Sequence, residues 1–426
     1  MNVLLIYDYY APQPLRQAIK EYLECFGKYS EHSIYYCNYA FGLPKYLSAV
    51  SFDLILFHNF FSAQFRWNNL PYDIYLKRLM PLKDYPAKKA ILCQDEFIRM
   101  NYINRFVSDF AVDHIFSVAE ESEWPKIYPD VDPKKVKIHK VLTGYLDDQI
   151  LETLKKLETE NINREIDIGY RASHVPHTLG KQGQLKNEIG KRLRKAEQAT
   201  GLKTSIKLVG EEQEMLSGLD WYRFMLSCKA VAGVEGGSSI LDFDGSLEKK
   251  VSQFTQKNPK ADFNTVKAHC FSEIDGNLNL KALSPRHLEA CATKTCQLLV
   301  EGDYSGILKP HIHYIPIKED FSNVEEALIS FKDENYRKTL TETAFKDIVL
   351  SKKYCLSSFV KKVIKECEVK KESPKKPLIL MLNKFRDNFL KKRIPLEFRF
   401  WKKIKHLVPK TIETKIKLMR NRSHES

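Results

Sequence analysis

The sequence predicts an α/β chain made of two similar halves and closed by a basic helical tail. Three observations predict it. Apolar runs of strand length alternate with longer, helix-compatible stretches from the first residues onward, which is the pattern of parallel α/β domains. The alternation restarts at Glu165-Ile-Asp-Ile-Gly-Tyr-Arg. Nearly all of the net charge sits at the end of the chain. The expected division is therefore 1–161, 162–350 and 351–426.

In the first half the runs Val3–Tyr7, Ser33–Cys37, Leu54–His58, Ala90–Gln94 and His114–Val118 are expected as strands, with helices over Pro14–Phe26 and Tyr72–Met80. The amphipathic stretch 147–160 closes it. In the second half a strand begins at Glu165, a helix covers Leu185–Thr200, and a strand covers Ser205–Val209. Trp221–Ser227 is helical, Ala230–Val234 a strand, and the helices Val324–Phe331 and Asn335–Leu350 finish the unit. In the tail, Pro374, Pro377, Pro395 and Pro409 are expected to cut the chain into short helices. Leu378, Leu382, Phe385 and Phe389 recur there at helical spacing among lysines, and Trp401, Ile404 and Val408 repeat the pattern.

A chain of 426 residues exceeds one ordinary core. No apolar run approaches the roughly 20 residues that span a bilayer, and the opening Met-Asn-Val-Leu-Leu-Ile-Tyr-Asp reads as a first strand instead of a leader. A cytoplasmic location follows as the expectation. Nine scattered cysteines without a Cys-x-x-Cys pair point to reduced, buried thiols. Of the net charge of +14, residues 370–426 carry +13. A nearly neutral body with a basic arm is unlike a uniformly basic nucleic-acid binder.

The most informative motif runs from Ser284 to Ile317: Pro285, then Glu289-Ala290, the apolar strand Gln297–Val300, the turn Glu301-Gly302, and a strand His313–Ile317. A helix start aims free backbone N–H groups and partial positive charge at an anion. This stretch resembles the sugar-nucleotide half of the group 1 (family 4-like) glycosyltransferases of the GT-B fold. The resemblance implies two Rossmann-like domains facing across a cleft, a nucleotide-sugar donor, and a glycan or lipid-linked acceptor of the bacterial surface-glycan type. It also implies that Glu289 receives the ribose diol, and that an Arg and a Lys in the loop after the first strand neutralise the diphosphate. Arg171 and Lys181 match those positions, with Lys186 in reserve. Many retaining members carry a further Glu eight residues before Glu289, and here Lys281 stands there. Arg286 and His287 are expected to take over part of its role.

Two further constellations complete the candidate site. Gly233-Val-Glu-Gly-Gly-Ser-Ser-Ile-Leu-Asp-Phe-Asp-Gly admits two readings. As a glycine-rich turn, Gly236, Gly237 and Ser238 or Ser239 let backbone amides approach phosphate or sugar; as Asp242-x-Asp244 it mimics a metal triplet. Its place in the second half speaks against the triplet, so no essential metal and no cofactor are expected. In the first half His58, Asp95 and Glu96 end predicted strands, where a base for the acceptor hydroxyl belongs, although a capping or solvent-facing role explains each at least as well.

The expectation is a glycosyltransferase of hexosyltransferase type acting on nucleotide-sugar, with no nucleic-acid partner. A sugar-nucleotide epimerase of the same fold and a non-catalytic scaffold are the alternatives. The tail has three readings: contact with an anionic membrane on its inner face, packing back across the domains, or an RNA-binding arm.

Overall fold

The strands Asn2–Tyr7 (β1), Ser33–Asn38 (β2), Leu54–Phe57 (β3), Lys88–Leu92 (β4), His114–Ser117 (β5) and Lys137–Lys140 (β6) form one parallel sheet in the order β2-β1-β3-β4-β5-β6. The computed structural model describes residues 1–11, 17–67, 71–160, 162–209, 216, 218–369 and 373–404. β1, β2, β3 and β5 are buried along their whole length. Helices covering both faces make such strands read as continuous apolar runs. Val3 stands opposite Ile34 on one side and Leu54 on the other.

The second half repeats the plan. Strands Ile166–Ser173 (β7), Thr204–Val209 (β8) and Cys228–Gly233 (β9) precede a short antiparallel pair, Gly236–Ser238 (β10) with Leu280–Ala282 (β11). Cys296–Val300 (β12) and Ile315–Ile317 (β13) then complete a parallel sheet in the order β13-β12-β9-β7-β8. Both sheets thus share the order 2-1-3-4-5, with an extra edge strand in the first. The chain direction of the connections reverses between β1 and β3 and again between β7 and β9. In open α/β sheets ligands bind outside the strand carboxyl ends at these points.

The helices that position the site and the tail are Gln17–Tyr29 (α1), Asn59–Trp67 (α2), Gly180–Thr200 (α3), Leu219–Leu226 (α4), Ser246–Lys257 (α5), Phe263–Cys270 (α6), Pro285–Ala292 (α7), Leu356–Glu366 (α8) and Pro377–Ile404 (α9). Two crossings join the halves side by side: Leu146 donates to the Tyr354 carbonyl and accepts from Leu356 N, at 2.9 Å each. Beyond them Leu356, Phe359, Val360 and Val363 of α8 enter the core of the first domain. All nine cysteines are free and buried.

Four features depart from the sequence reading. The first is β6, which the sequence does not announce, because Lys-Ile-His-Lys at a sheet edge carries one apolar residue. The expected helix over Tyr72–Met80 ends at Leu76 and continues as a 3-10 turn containing Pro81. Between β10 and β11 the chain makes an excursion with its own small core of Ile240, Leu247, Val251, Val266, Cys270 and Phe271. It clamps onto the first domain: Asp242 N donates to Phe97 O and Arg99 N to Asp242 O, both at 2.8 Å, and Arg99 pairs with Glu248.

The tail is the fourth. From Pro377 it is a single helix, and it runs through Pro395 instead of breaking there. Pro377 opens it, where a missing N–H is harmless. The turns before Pro395 are already docked: Asn383 receives Tyr36 N (2.8 Å) and donates to Tyr36 O (2.9 Å), filling the open edge of β2. Asp387 accepts from Tyr7 Oη (2.6 Å) and pairs with Lys391 (2.9 Å). Leu390 and Ile394 are buried below them. The repeat at Val408 lies outside the described residues, as does Pro409.

Candidate functional site

The carboxyl ends of both sheets meet in the cleft between the halves. On the first domain, the chain leaving β4 runs into Gln94-Asp95, and Asp95 adopts φ = +53°. A left-handed conformation at a non-glycine residue needs support from its surroundings. Arg66 of α2 supplies it: Nη2 donates to Gln94 O at 2.6 Å, Nη1 to Asp95 O at 2.7 Å, and Nε to Ser62 O at 3.1 Å. Arg66 is fully buried and has no carboxylate partner among the described residues, so its donors serve the backbone of this bend. Asp95 as a residue is exposed to solvent. Protein nevertheless surrounds it closely enough that burial raises its pKa, against the pull of Arg66 and Lys186.

Opposite, on the second domain, Lys186 projects from α3 and Arg286 from the start of α7. Burial, reinforced by the neighbouring Arg286 guanidinium, pulls the Lys186 ammonium down to about 8, while the Asp95 carboxylate works the other way. Lys186 is only half-buried by exposed area, so it too lines the cleft instead of the core. Arg286 Nη1 is steadied by the Arg171 carbonyl at 2.7 Å. Lys186 of one domain thus faces the Asp95 carboxylate of the other, with Arg286 beside Lys186.

A hydrogen-bond chain crosses the cleft beside them. Asn59 Nδ2 donates to Gln94 Oε1 (2.5 Å), Gln94 Nε2 to Thr143 O (2.6 Å), and Thr143 Oγ1 to Leu283 O. Next to it Gly144 lies against the first turn of α7, where a Cβ would stand 2.2 Å from Pro285 Cγ. The start of α7 is therefore set against the first domain. A cleft of about 520 Å³ opens further along, lined by Lys140, Leu142 and Tyr145 on one side and Asp303, Ser305 and Ile307 on the other. Tyr304 and Ser305 take left-handed φ of +47° and +56°, and Glu235 at the end of β9 holds their loop by accepting from Asp303 N and Tyr304 N.

Glu289 lies one turn into α7. Its Oε2 accepts the Trp221 Nε1–H of α4 at 2.8 Å, and burial raises its pKa. Its charge also senses Glu21 of α1 in the first domain, so it faces the other half. Arg171 shares this neighbourhood through a narrow crevice it lines with Trp221, Phe224 and Arg286. β7 extends two residues past Arg171, however, so the side chain leaves the sheet face instead of the strand end. Its guanidinium stacks 4.0 Å from the Phe224 ring centre and donates to Ser205 O and Oγ.

The remaining sequence candidates lie elsewhere. Lys181 makes a surface ion pair with Glu319 at 2.7 Å. Gly236, Gly237 and Ser238 form β10 instead of a phosphate-cradling turn: Gly237 has φ = +114°, and a Cβ there would stand 1.9 Å from Leu280 O. Ser238 is buried and donates to Ile240 O (2.8 Å). Ser239 is bonded to Asp275 at 2.6 Å. Lys281 sits opposite Gly237 on β11, and Glu235 feels its charge. Asp242 accepts from Leu247 N and Glu248 N, and Asp244 from Ser246 N, so both carboxylates cap α5.

His287 is buried between Gln297 and the Val234 carbonyl, and burial lowers it to about 4. His58 is enclosed between the Tyr22 and Phe60 rings; burial lowers it to about 3 and keeps it neutral, with no well-formed bond at Nε2. Glu96 is sealed in the first core, where Ser117 Oγ (2.5 Å), Val118 N (2.7 Å) and the Tyr128 hydroxyl all donate to it. Of the three first-domain candidates, only Asp95 is reached from the cleft. Arg66 and Trp221 escaped the sequence reading; a lone arginine in the aromatic segment Asn-Phe-Phe-Ser-Ala-Gln-Phe-Arg-Trp was the available signal for the first.

Two Rossmann-like domains facing across a cleft, with closing helices returned to the first, constitute the GT-B arrangement. No family model and no curated protein matches the chain. Solved structures do align with it. HepE from Anabaena, in complex with UDP and glucose, is 11% identical over 86% of this chain and 99% of its own, with a TM-score of 0.47. A UDP-forming α,α-trehalose-phosphate synthase from Burkholderia xenovorans, in complex with glucose-6-phosphate, is 9% identical over 86% and 100%, also at 0.47. AviGT4, a glycosyltransferase involved in avilamycin A biosynthesis, is 9% identical over 86% and 96%, at 0.43. Likenesses this distant carry no inference about the reaction, which has to come from the residues themselves.

Proposed function

We propose that the chain is a glycosyltransferase of hexosyltransferase type. It moves a sugar from a nucleotide-sugar donor, held mainly by the second domain, to a glycan or lipid-linked acceptor that enters along the first. Its products are cell-surface polysaccharide or glycolipid, made on the cytoplasmic side of the membrane. The observation that carries this reading is Lys186, with Arg286 beside it, facing Asp95 across the cleft. When the bond between the anomeric carbon and the diphosphate oxygen breaks, negative charge grows on the departing nucleoside diphosphate. Two fixed cations in a partly dehydrated cleft stabilise it. The acceptor hydroxyl oxygen bonds to the anomeric carbon, and its proton passes to Asp95, whose raised pKa suits a general base. Glu289 offers the oxygen not used by Trp221 to the ribose diol. No divalent ion enters this reading, because Lys186 and Arg286 supply the positive charge.

The test is a thermal-shift screen against UDP, GDP, CMP and their sugars, followed by transfer assays on variants. A ligand selective for the native state raises its melting temperature by mass action. One nucleoside diphosphate is expected to stabilise the protein, and Arg286→Ala to abolish that shift. Asp95→Asn, which tolerates the left-handed backbone, is expected to keep the shift and lose transfer. If none of these nucleotides stabilises the protein, the reading fails. Conversion of a nucleotide-sugar with no acceptor present reassigns it to the epimerases.

A further inference from the structure

The face of α9 turned away from the body is apolar, and its composition says what covers it. Leu378 is 78% exposed, Phe385 72%, Leu396 61% and Phe389 54%, and Met381 and Leu382 are exposed beside them. At about 100° per residue these six positions fall within an arc of about 100°. Asn383, Asp387, Leu390 and Ile394, which dock the helix on β1 and β2, lie on the opposite side. The stripe is thus separate from the seam that holds the helix.

From Lys375 to Ile404 the charges are mostly positive, ten basic residues against Asp387 and Glu397. Lys375, Lys376, Lys384 and Lys392 are exposed, and the only acidic residue between Ser373 and Leu396 is Asp387, which is buried and paired with Lys391. The sequence beyond Ile404 adds Lys405, Lys410, Lys415, Lys417, Arg420 and Arg422 against Glu413 and Glu425. A row of large apolar side chains edged by cations matches the two layers of an anionic lipid surface: phenyl and leucyl groups enter the acyl boundary while the ammonium groups reach phosphate. A nucleic acid offers the phosphates without the apolar layer. A second copy of this chain offers apolar surface but repeats the positive charge.

We infer that α9 docks the protein on an anionic bilayer through Leu378, Met381, Leu382, Phe385, Phe389 and Leu396. The helix rises from the Asn2 end of β1, where Pro374 O accepts from Asn2, to the Tyr7 end, where Asp387 accepts from Tyr7. Its later turns lie on the side of the strand carboxyl ends, so docking brings the mouth of the cleft close to the lipid surface. That last step rests on the transferase reading; the docking itself does not.

The experiment is co-sedimentation of the full chain with phosphatidylcholine vesicles, with and without phosphatidylglycerol, in the absence of any sugar donor. The expected result is binding to the anionic vesicles that falls at least about tenfold in the double variant Phe385→Ser/Phe389→Ser, because exposed phenyl groups lose their apolar layer. Both side chains are mostly exposed, so an unchanged melting temperature is expected. Binding that is undiminished in the double variant, or equal on neutral vesicles, overturns the inference. So does a dimer of the native chain in sedimentation velocity that the same double variant abolishes, which would give the stripe to a second copy. Donor-dependent stabilisation of the double variant keeps the two readings separable.

Discussion

Replacing Lys186 by Arg tests the cleft most directly, because it changes when the charge is lost without removing it. The native ammonium, drawn down to about 8 by burial and by Arg286, is about nine-tenths protonated at pH 7 and about one-tenth at pH 9. The pKa is lowered, so the positive form disappears as pH rises, and any anion that depends on it must bind more weakly on the alkaline side. Above pH 7 the terminal phosphate of UDP is already largely ionised, with its second pKa at about 6. The association constant for UDP is therefore expected to fall about tenfold between pH 7 and pH 9. His287 does not contribute a competing limb, since it is neutral throughout. In Lys186→Arg the guanidinium stays charged, and the fall is expected to vanish; in Lys186→Gln binding is expected to be weak and flat. Isothermal titration at constant ionic strength reads all three, because screening alters such interactions independently of pH. A flat native profile from pH 7 to 9.5, or the same alkaline limb in Lys186→Arg, would refute the placement of this ammonium against the leaving group.

Removing the Arg66 side chain, as in Arg66→Met, leaves the Gln94, Asp95 and Ser62 carbonyls without their buried donor. A loss of about 3 kcal/mol in urea unfolding is expected, together with transfer activity lower than that stability loss explains; a neutral substitution would show that the bend needs no such support. Asp8 accepts a hydrogen bond from Tyr75 but is held at about 6 by burial. The raised value means that the folded state retains the proton longer, so stability falls as pH rises from about 4 to about 6. Asp8→Asn is expected to lack that fall and to be more stable at pH 7 by about 2–3 kcal/mol; parallel pH–stability curves for the two proteins would exclude this. Gly237→Ala places a methyl group against Leu280 O at a left-handed position, and should cost about 2–3 kcal/mol by parting β10 from β11. An unchanged melting temperature would contradict that packing.

Most of the strands are legible in the amino-acid sequence, because a strand buried on both faces writes an unbroken apolar run into the chain. Val3–Tyr7, Leu54–His58 and Gln297–Val300 all form strands within a residue or two of the expected bounds. β6 is illegible, since an edge strand needs few apolar residues, and so are β10, whose Gly236 and Gly237 imitate a turn when read locally, and the excursion that follows it. The charge of the tail and the spacing of Leu378, Leu382, Phe385 and Phe389 are also plain. That one side of the helix is consumed by β1 and β2 is not.

The site separates the two sources of information most sharply. The sequence by itself determined the alternation of two α/β halves, the helix opening at Pro285 with Glu289 one turn inside it, and the basic character of the end of the chain. These follow from local chemistry: burial pattern, helix termini and composition. Only the tertiary structure decided that Asp95, and neither His58 nor Glu96, is open to the cleft, and that Lys186 and Arg286, instead of Lys181, face it. Neighbours in sequence at a strand end point in different directions, and which of them meets the other domain depends on the strand order and on how Arg66, Gly144 and Pro285 fit the two halves together.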